Sequence, residues 1–149
     1  MSILFINGGE KDGNTARMGR ELIGERDYVE IDLADTKVYD YGQVFDDDDQ
    51  FDEVIEAVRA ADTIVMGSPV YWHNLSGMMR NLLDRFYGPV PEKSLSGRRL
   101  FFIFQGAAPT PDMLKWGEYT MNRFANLYGM EYMGMATSDA EARKMGERL

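Results

Sequence analysis

Cysteine is absent from the 149 residues, and histidine occurs once, as His73. Without cysteine the chain has no disulfide framework, no thiolate nucleophile and no Cys-ligated zinc or iron–sulfur site. The absence also excludes a low-molecular-weight phosphatase, which needs a nucleophilic cysteine. It fits a reducing compartment.

Basic residues are scarce as well. The 16 Lys and Arg residues stand against 25 Asp and Glu residues, which gives a formal net charge of −9. Nucleic acid and anionic membranes require basic patches, so neither is an expected partner, whereas a small anionic ligand is not excluded. No apolar run approaches the ~18 residues of a membrane span, and the first residues form no charged leader. We expect a soluble cytoplasmic protein.

The apolar pattern alternates between two periods. Continuous apolar runs, typical of buried strands, lie at 2–6, 63–66 and 100–104, an alternating run at 28–33 indicates an edge strand, and a further strand is expected at 131–136. Helical spacing lies at 14–24, 51–58, 75–86 and 114–128, with a short helix expected from residue 139. This βαβαβαβαβ order predicts one α/β domain over residues 1–149, with a five-stranded parallel sheet of order 2-1-3-4-5 and helices on both faces.

Ligands bind such sheets beyond the carboxyl ends of the strands, which directs attention to the loops at 7–15, 67–76 and 105–112. The first loop reads NGGEKDGNT. Its glycines allow close approach of a ligand, Asn14 and Thr15 are natural N-cap residues, and free N–H groups at a helix start attract phosphate. Lys11 adds a positive charge. The loop matches neither GxGxxG nor GxxxxGK[ST], so it suits a monophosphate, but a capped turn without a ligand is an equally good reading.

The second loop reads GSPVYWHNLSG at 67–77. Pro69 stiffens it, and the rings of Tyr71 and Trp72 can stack on a flat ligand. The alternative, preferred for an isolated Tyr-Trp pair, is that both rings pack on the neighbouring helix or on another subunit. The third loop, at 105–112, consists of small residues and two prolines, and taken alone it is an ordinary loop.

The predicted topology places the three loops side by side. One offers phosphate binding, one offers flat rings, and one offers bare backbone. FMN combines a phosphate, a flat tricycle and a chain that joins them.

Several of these segments resemble the NADPH-dependent FMN reductase family of the flavodoxin-like superfamily. They are GSPVYWHNLSGMMRNLLDRF at 67–86, GNT at 13–15 and the small-residue loop after the strand at 100–104. The resemblance spans nearly the whole chain. It implies a flavodoxin-like doubly wound fold, FMN as cofactor, NAD(P)H as co-substrate and a homodimer with the flavin near the subunit interface.

The resemblance also implies site residues. The FMN phosphate segment matches Gly8, Lys11, Asn14 and Thr15, the isoalloxazine and ribityl segment matches Pro69, Val70, Tyr71 and Trp72, and the third contact loop matches Gln105, Gly106 and Ala107. Relatives often carry serine in place of Gly8. They also often carry cysteines around 38–43. This chain has the aromatic residues Tyr39, Tyr41 and Phe45 in that region. These residues either shape the pocket mouth or the dimer contact, or belong to a plain surface loop.

The resulting hypothesis is hydride transfer from NAD(P)H through FMN to a quinone, nitro, azo or flavin acceptor. The cofactor carries this chemistry, so no catalytic side chain is assigned. His73 is a possible proton donor, but a hydrogen-bonded loop histidine is the favoured interpretation. The acidic run at 46–49 lacks the pattern of a calcium loop and is interpreted as a solvated helix entrance, with no metal site.

Two rival functions share this fold. A flavodoxin would carry electrons on FMN without reacting directly with NAD(P)H, and the charge of the chain does not separate it from a reductase. A phosphorylated receiver domain needs clustered carboxylates at the end of the first strand. This chain has Asn7-Gly8-Gly9 there, which disfavours that function.

Overall fold

The computed structural model describes residues 1–43 and 46–149. The strands are β1 (Ile3–Asn7), β2 (Val29–Asp32), β3 (Thr63–Tyr71), β4 (Asn74–Leu75), β5 (Arg99–Gln105) and β6 (Glu131–Ala136). The helices are α1 (Asn14–Ile23), α2 (Phe51–Ala60), α3 (Gly77–Phe86), α4 (Pro111–Tyr128) and α5 (Asp139–Gly146).

Five parallel strands form the sheet in the order β2-β1-β3-β5-β6. Numbered among themselves, these strands have the predicted order 2-1-3-4-5, and β2 lies at the predicted edge. The remaining strand, β4, was not predicted, and it pairs antiparallel with the end of β3. The flavodoxin-like α/β fold expected from the sequence is confirmed.

Helices cover both faces of the sheet because its strands are apolar on both sides. The buried cluster on one face contains residues of α1 and α5, and the larger cluster on the other contains residues of α2, α3 and α4. Two glycines allow helices to lie directly on aromatic rings. A Cβ at Gly19 of α1 would lie 2.1 Å from the Phe5 ring, and one at Gly117 of α4 would lie 2.2 Å from the Phe104 ring. Within the described residues, none of these helices is long and apolar enough to cross a membrane.

The third strand is longer than its apolar run predicted. The sequence indicated a strand at 63–66 followed by a turn, but β3 continues to Tyr71. Its pairing with β1 ends at Gly67, while its pairing with β5 continues to the Pro69–Gln105 pair. Because Pro69 lies where β3 is paired on the β5 side alone, its missing N–H is tolerated there.

The segment between β2 and α2 is a loop, as expected, but one of its acidic residues was misread. Asp46, Asp47 and Asp48 are exposed, whereas Asp49 is paired with Arg85 of α3, whose side chain is buried. Both guanidinium nitrogens donate to the carboxylate, at 2.8 and 2.7 Å. Arg85 also donates to the Tyr39 carbonyl, so the pair fastens this loop to α3. Phe45, one of the aromatics noted in this region, lies outside the described residues.

Replacing Asp49 by asparagine is expected to lower the free energy of unfolding by about 3 kcal/mol, because it removes the carboxylate that accepts two hydrogen bonds from the buried Arg85 guanidinium. Urea unfolding at neutral pH measures this loss. The exposed pair Arg59–Glu56 provides the control, since Glu56→Gln is expected to cost less than about 1 kcal/mol. Equal losses in the two variants would contradict the structural role of the Asp49–Arg85 pair.

The same pair predicts a pH dependence. The hydrogen bonds from Arg85 lower the pKa of Asp49 from its ordinary value of 3.8. The carboxylate therefore stabilises the fold fully above that value, and its contribution is lost as the pH falls through the lowered pKa. The stability difference between the wild type and Asp49→Asn should narrow below about pH 4.

Candidate functional site

A cavity of about 370 Å³ lies at the carboxyl ends of β1, β3 and β5. The strand register brings these ends together, since Asn7 pairs with Gly67 and Pro69 pairs with Gln105. Eight of the eleven predicted site residues line the cavity: Asn14, Thr15, Pro69, Val70, Tyr71, Gln105, Gly106 and Ala107. Three further residues line the cavity that were not predicted as site residues: Gly9, Glu10 and Gly13.

The shape of the first loop depends on Asn7, which is fully buried and was not selected either. Its amide nitrogen donates to the Asp32 carboxylate at 2.8 Å and to the Glu10 carbonyl at 3.1 Å. Its amide oxygen accepts from the Gly9 N–H at 3.0 Å. One side chain thus ties two consecutive loop residues, Gly9 and Glu10, to the end of β2. The sequence does offer one indication of this role, because Asn7 is a polar residue that directly follows the apolar run of a buried strand.

The start of α1 differs from the expectation that Asn14 or Thr15 caps it. Gly13 is the N-cap residue, Asn14 and Thr15 are the first two helical residues, and no described side chain caps the helix. The first N–H groups of a helix have no intrahelical partner, so this end of α1 presents donors and a positive dipole end beside the cavity.

Thr15 joins the first loop to the third. Its side chain is 2% exposed, and its hydroxyl accepts from the Gln105 amide at 3.1 Å. The hydroxyl keeps its own proton for donation, so a ligand at the helix start has a side-chain donor beside the backbone donors.

Gly8 and Lys11 lie outside the cavity lining. The Gly8 N–H donates to the Gly67 carbonyl at 2.8 Å, and a Cβ on Gly8 would lie 3.0 Å from that oxygen and 3.0 Å from the Met79 Cβ. A side chain at this position would therefore require its neighbours to move by a few tenths of an ångström. Lys11 is exposed and forms an ion pair with Asp35, whose hydrogen bond raises the pKa of Lys11.

Two buried serines fix the second loop against the first. The Ser76 hydroxyl donates to the Gly8 carbonyl at 2.6 Å and accepts from the Met79 N–H at 3.2 Å, as the N-cap of α3. The Ser76 N–H donates to the Ser68 hydroxyl at 2.9 Å. Neither serine was selected from the sequence, because buried hydroxyls of this kind have no spacing pattern.

The two rings of the second loop have different positions. Tyr71 is half exposed and lines the cavity, whereas Trp72 is 93% exposed. Trp72 and His73 form the two-residue turn between β3 and β4, and both have positive φ, at 47° and 66°. Because Trp72 is so exposed, the alternative that it packs on a helix of the described chain is wrong, whereas its packing on another subunit stays a prediction. Both residues line a second cavity of about 310 Å³ next to the first.

Comparison with known proteins identifies the family. The sequence pattern of the NADPH-dependent FMN reductase family matches residues 1–134, and the chain belongs to that family. An iron–sulfur flavoprotein of Archaeoglobus fulgidus is 31% identical over 98 residues, a match that covers 57% of this chain and 48% of the relative. The chain thus aligns with about half the length of that relative. The 149 residues contain no cysteine for a cluster.

Solved structures share the fold. The Trp repressor binding protein of Bacillus subtilis superposes with a TM-score of 0.78 at 20% identity, over 99% of this chain and 98% of its own. A flavone reductase superposes with a TM-score of 0.81 at 18% identity, over 98% of this chain and 60% of its own. These likenesses, at 20% identity or less, show the fold, whereas the match over residues 1–134 shows the family.

Proposed function

We propose that this member of the NADPH-dependent FMN reductase family binds FMN at the ends of β1, β3 and β5 and passes electrons from NAD(P)H to a quinone, nitro, azo or flavin acceptor. The observation that carries this assignment is the cavity itself. A single space of about 370 Å³ is bounded by an uncapped helix start on one side and by two strand ends on the other. This volume lies within the range of ordinary cofactor pockets.

The phosphate of FMN is assigned to the start of α1. The free N–H groups at Asn14 and Thr15 and the Thr15 hydroxyl supply neutral donors, and the helix dipole supplies the favourable potential. Lys11 is engaged with Asp35, so its contribution is a distant charge that salt screens. Gly8 acts by positioning the loop, through its contacts with Gly67 and Ser76.

The flat ring system is assigned to the backbone of 69–71 and 105–107. Pro69 pairs with Gln105 across the two strand ends, and Gly106 lies against Val70, where a Cβ would be 3.0 Å from the Val70 Cβ. A side chain at position 106 would occupy the space between these segments. Tyr71 closes the exposed side, and we assign Trp72 to the neighbouring cavity.

When bound, FMN would supply the redox chemistry, by accepting hydride from NAD(P)H and passing two electrons to the acceptor. For a quinone the balance is NAD(P)H + H⁺ + quinone → NAD(P)⁺ + hydroquinone, with the second proton drawn from solvent. The protein holds the reactants in contact and limits the access of water. None of these steps requires an acid–base side chain, and we assign no catalytic residue.

Direct reaction with reduced nicotinamide separates the reductase from its rival, an electron-carrying flavodoxin. The FMN-loaded protein is mixed with NADH or NADPH without oxygen, and the visible flavin band is followed in a stopped-flow instrument. A reductase loses the band within seconds with at least one nucleotide, and the faster nucleotide is the preferred donor. A band that persists for many minutes with both would establish the carrier.

The phosphate assignment predicts a difference between two ligands. Thr15→Val preserves the shape of the side chain but removes its hydroxyl. We expect the Kd for FMN to rise about tenfold and the Kd for riboflavin, which lacks the phosphate, to change less than about twofold. Isothermal titration of both ligands measures this, with Thr120→Val in α4 as the control. Equal weakening of both ligands would move the phosphate elsewhere.

We also propose a homodimer, as the family resemblance implies, but with an interface that shares no lining residue with the flavin cavity, unlike the interface that the resemblance implies. Its support is an exposed apolar groove of about 500 Å³ lined by residues of α3, α4 and the 34–50 loop, where the Tyr41 and Tyr87 rings meet edge to face. Light scattering should give twice the 17.0 kDa chain mass, and Leu127→Glu in this groove should reduce it to the monomer value. Val29→Glu, at the exposed sheet edge, is the control and should leave the mass unchanged. A monomeric wild type would refute the dimer.

The cytoplasmic location and the single domain over 1–149 stay predictions.

A further inference from the structure

The second cavity adjoins the first and shares three of its lining residues. Val70, Gly106 and Ala107 line both spaces. The second cavity, of about 310 Å³, is otherwise lined by Trp72, His73, Ala108, Pro109 and Met113. A molecule held there is in reach of whatever occupies the first cavity. The position suits a second reactant better than a second cofactor.

The turn that forms one wall is built from unfavourable residues. A two-residue hairpin loop with positive φ at both positions is a type I′ turn, which favours Asn-Gly, because larger side chains are strained there. Here the residues are Trp72 and His73, with φ of 47° and 66°. Trp72 is 93% exposed, so burial within the described chain does not compensate for the strain. Backbone strain of this kind is concentrated at active sites and ligand-binding sites, so the turn is a candidate ligand contact.

The chemistry of the cavity disfavours an anion. Its described lining contains no lysine or arginine. The start of α4 is adjacent, but Thr110 caps it by accepting from the Met113 N–H, and Pro111 has no N–H to offer. Asp112 in the first turn adds negative charge. The start of α1 has the opposite character, with no capping side chain among the described residues.

We propose that this second cavity binds an uncharged planar aromatic acceptor of the quinone class, and that the Trp72–His73 turn selects it by stacking the Trp72 ring against it. The inference deepens the proposed function and rests on it. The electron and proton balance is the one given above, with the quinone gaining two electrons and two protons. Among flavin acceptors, the cavity favours riboflavin over FMN, since only FMN brings a phosphate to the capped end of α4.

Binding is measured first without turnover. Trp116 on α4 is replaced by phenylalanine, which leaves Trp72 as the single tryptophan. Titration of this FMN-loaded protein with 2-methyl-1,4-naphthoquinone is expected to quench the Trp72 fluorescence in a saturable manner. The parallel Trp72→Phe protein, which retains Trp116, should show only the weak linear quenching of an exposed ring. Linear quenching of Trp72 itself would overturn the proposal.

Steady-state kinetics then test selection. The double variant Trp72→Asn/His73→Gly installs the favoured turn residues, so its melting temperature is expected to rise by a few degrees. The KM for the quinone should rise about tenfold, and Trp72→Phe, which keeps a flat ring, should recover most of the affinity. In the wild type, the KM for riboflavin should be several-fold lower than that for FMN. An unchanged quinone KM in the double variant, or a lower KM for FMN than for riboflavin, would refute the proposal.

Different results would refute the proposed function and the assignment of the second cavity. If the wild type does not retain FMN, or its flavin band does not respond to NAD(P)H, the proposed function is wrong. If the wild type reacts with NAD(P)H but the Trp116→Phe protein shows only linear quenching and the double variant keeps the wild-type quinone KM, only the assignment of the second cavity is wrong. The Trp116→Phe protein, altered away from both cavities, should match the wild type in FMN retention, in its reaction with NAD(P)H and in its KM for the quinone.

Discussion

The register of three adjacent parallel strands determines where everything else in the site lies. Asn7 of β1 stands beside Gly67 of β3, and Pro69 of β3 stands beside Gln105 of β5. Because β3 extends past its neighbour β1, its final residues are free on that side and can turn back as a hairpin. The first loop fills the resulting step, where Gly8 donates to the Gly67 carbonyl. The cavity is therefore a product of unequal strand lengths and not of any one loop.

Two helix starts give the two cavities opposite preferences. The start of α1 carries no side-chain cap among the described residues, whereas the start of α4 carries Thr110 as a cap and proline as its first residue. In the proposed assignment the anion site does not use a free lysine, since Lys11 is paired with Asp35. Neutral donors and a helix dipole would hold the phosphate, while the net charge of −9 still repels anions in general.

Much of this arrangement was readable from the sequence, because the period of apolar residues reports burial directly. The strand order followed from alternating strands and helices, and eight predicted residues meet in one cavity. The errors have local causes. The end of β3 was missed because Gly67, Ser68 and Pro69 have little strand propensity, and their pairing with β5 decides their conformation. Gly13 was missed as the cap because its role depends on backbone angles rather than on a side chain.

Other features depended on contacts between distant residues, which periodicity does not encode. The Asp49–Arg85 pair, the Asn7 hydrogen bonds and the Ser76–Gly8 bond each join segments that the fold alone brings together. The position of Trp72 could not be predicted either. Its identity indicated a flat ligand, but the structure places it on a turn with positive φ, 93% exposed, where it lines the second cavity and not the first.

The central claim is that three separate segments bind one FMN molecule, and amide hydrogen exchange with and without FMN tests it most directly. The account predicts that exchange slows together at 9–16, at 70–71 and at 105–107. The groove around Tyr41 and Tyr87 should exchange at the same rate in both states. Protection that is confined to one of these segments, or that appears at that groove instead, would contradict the account.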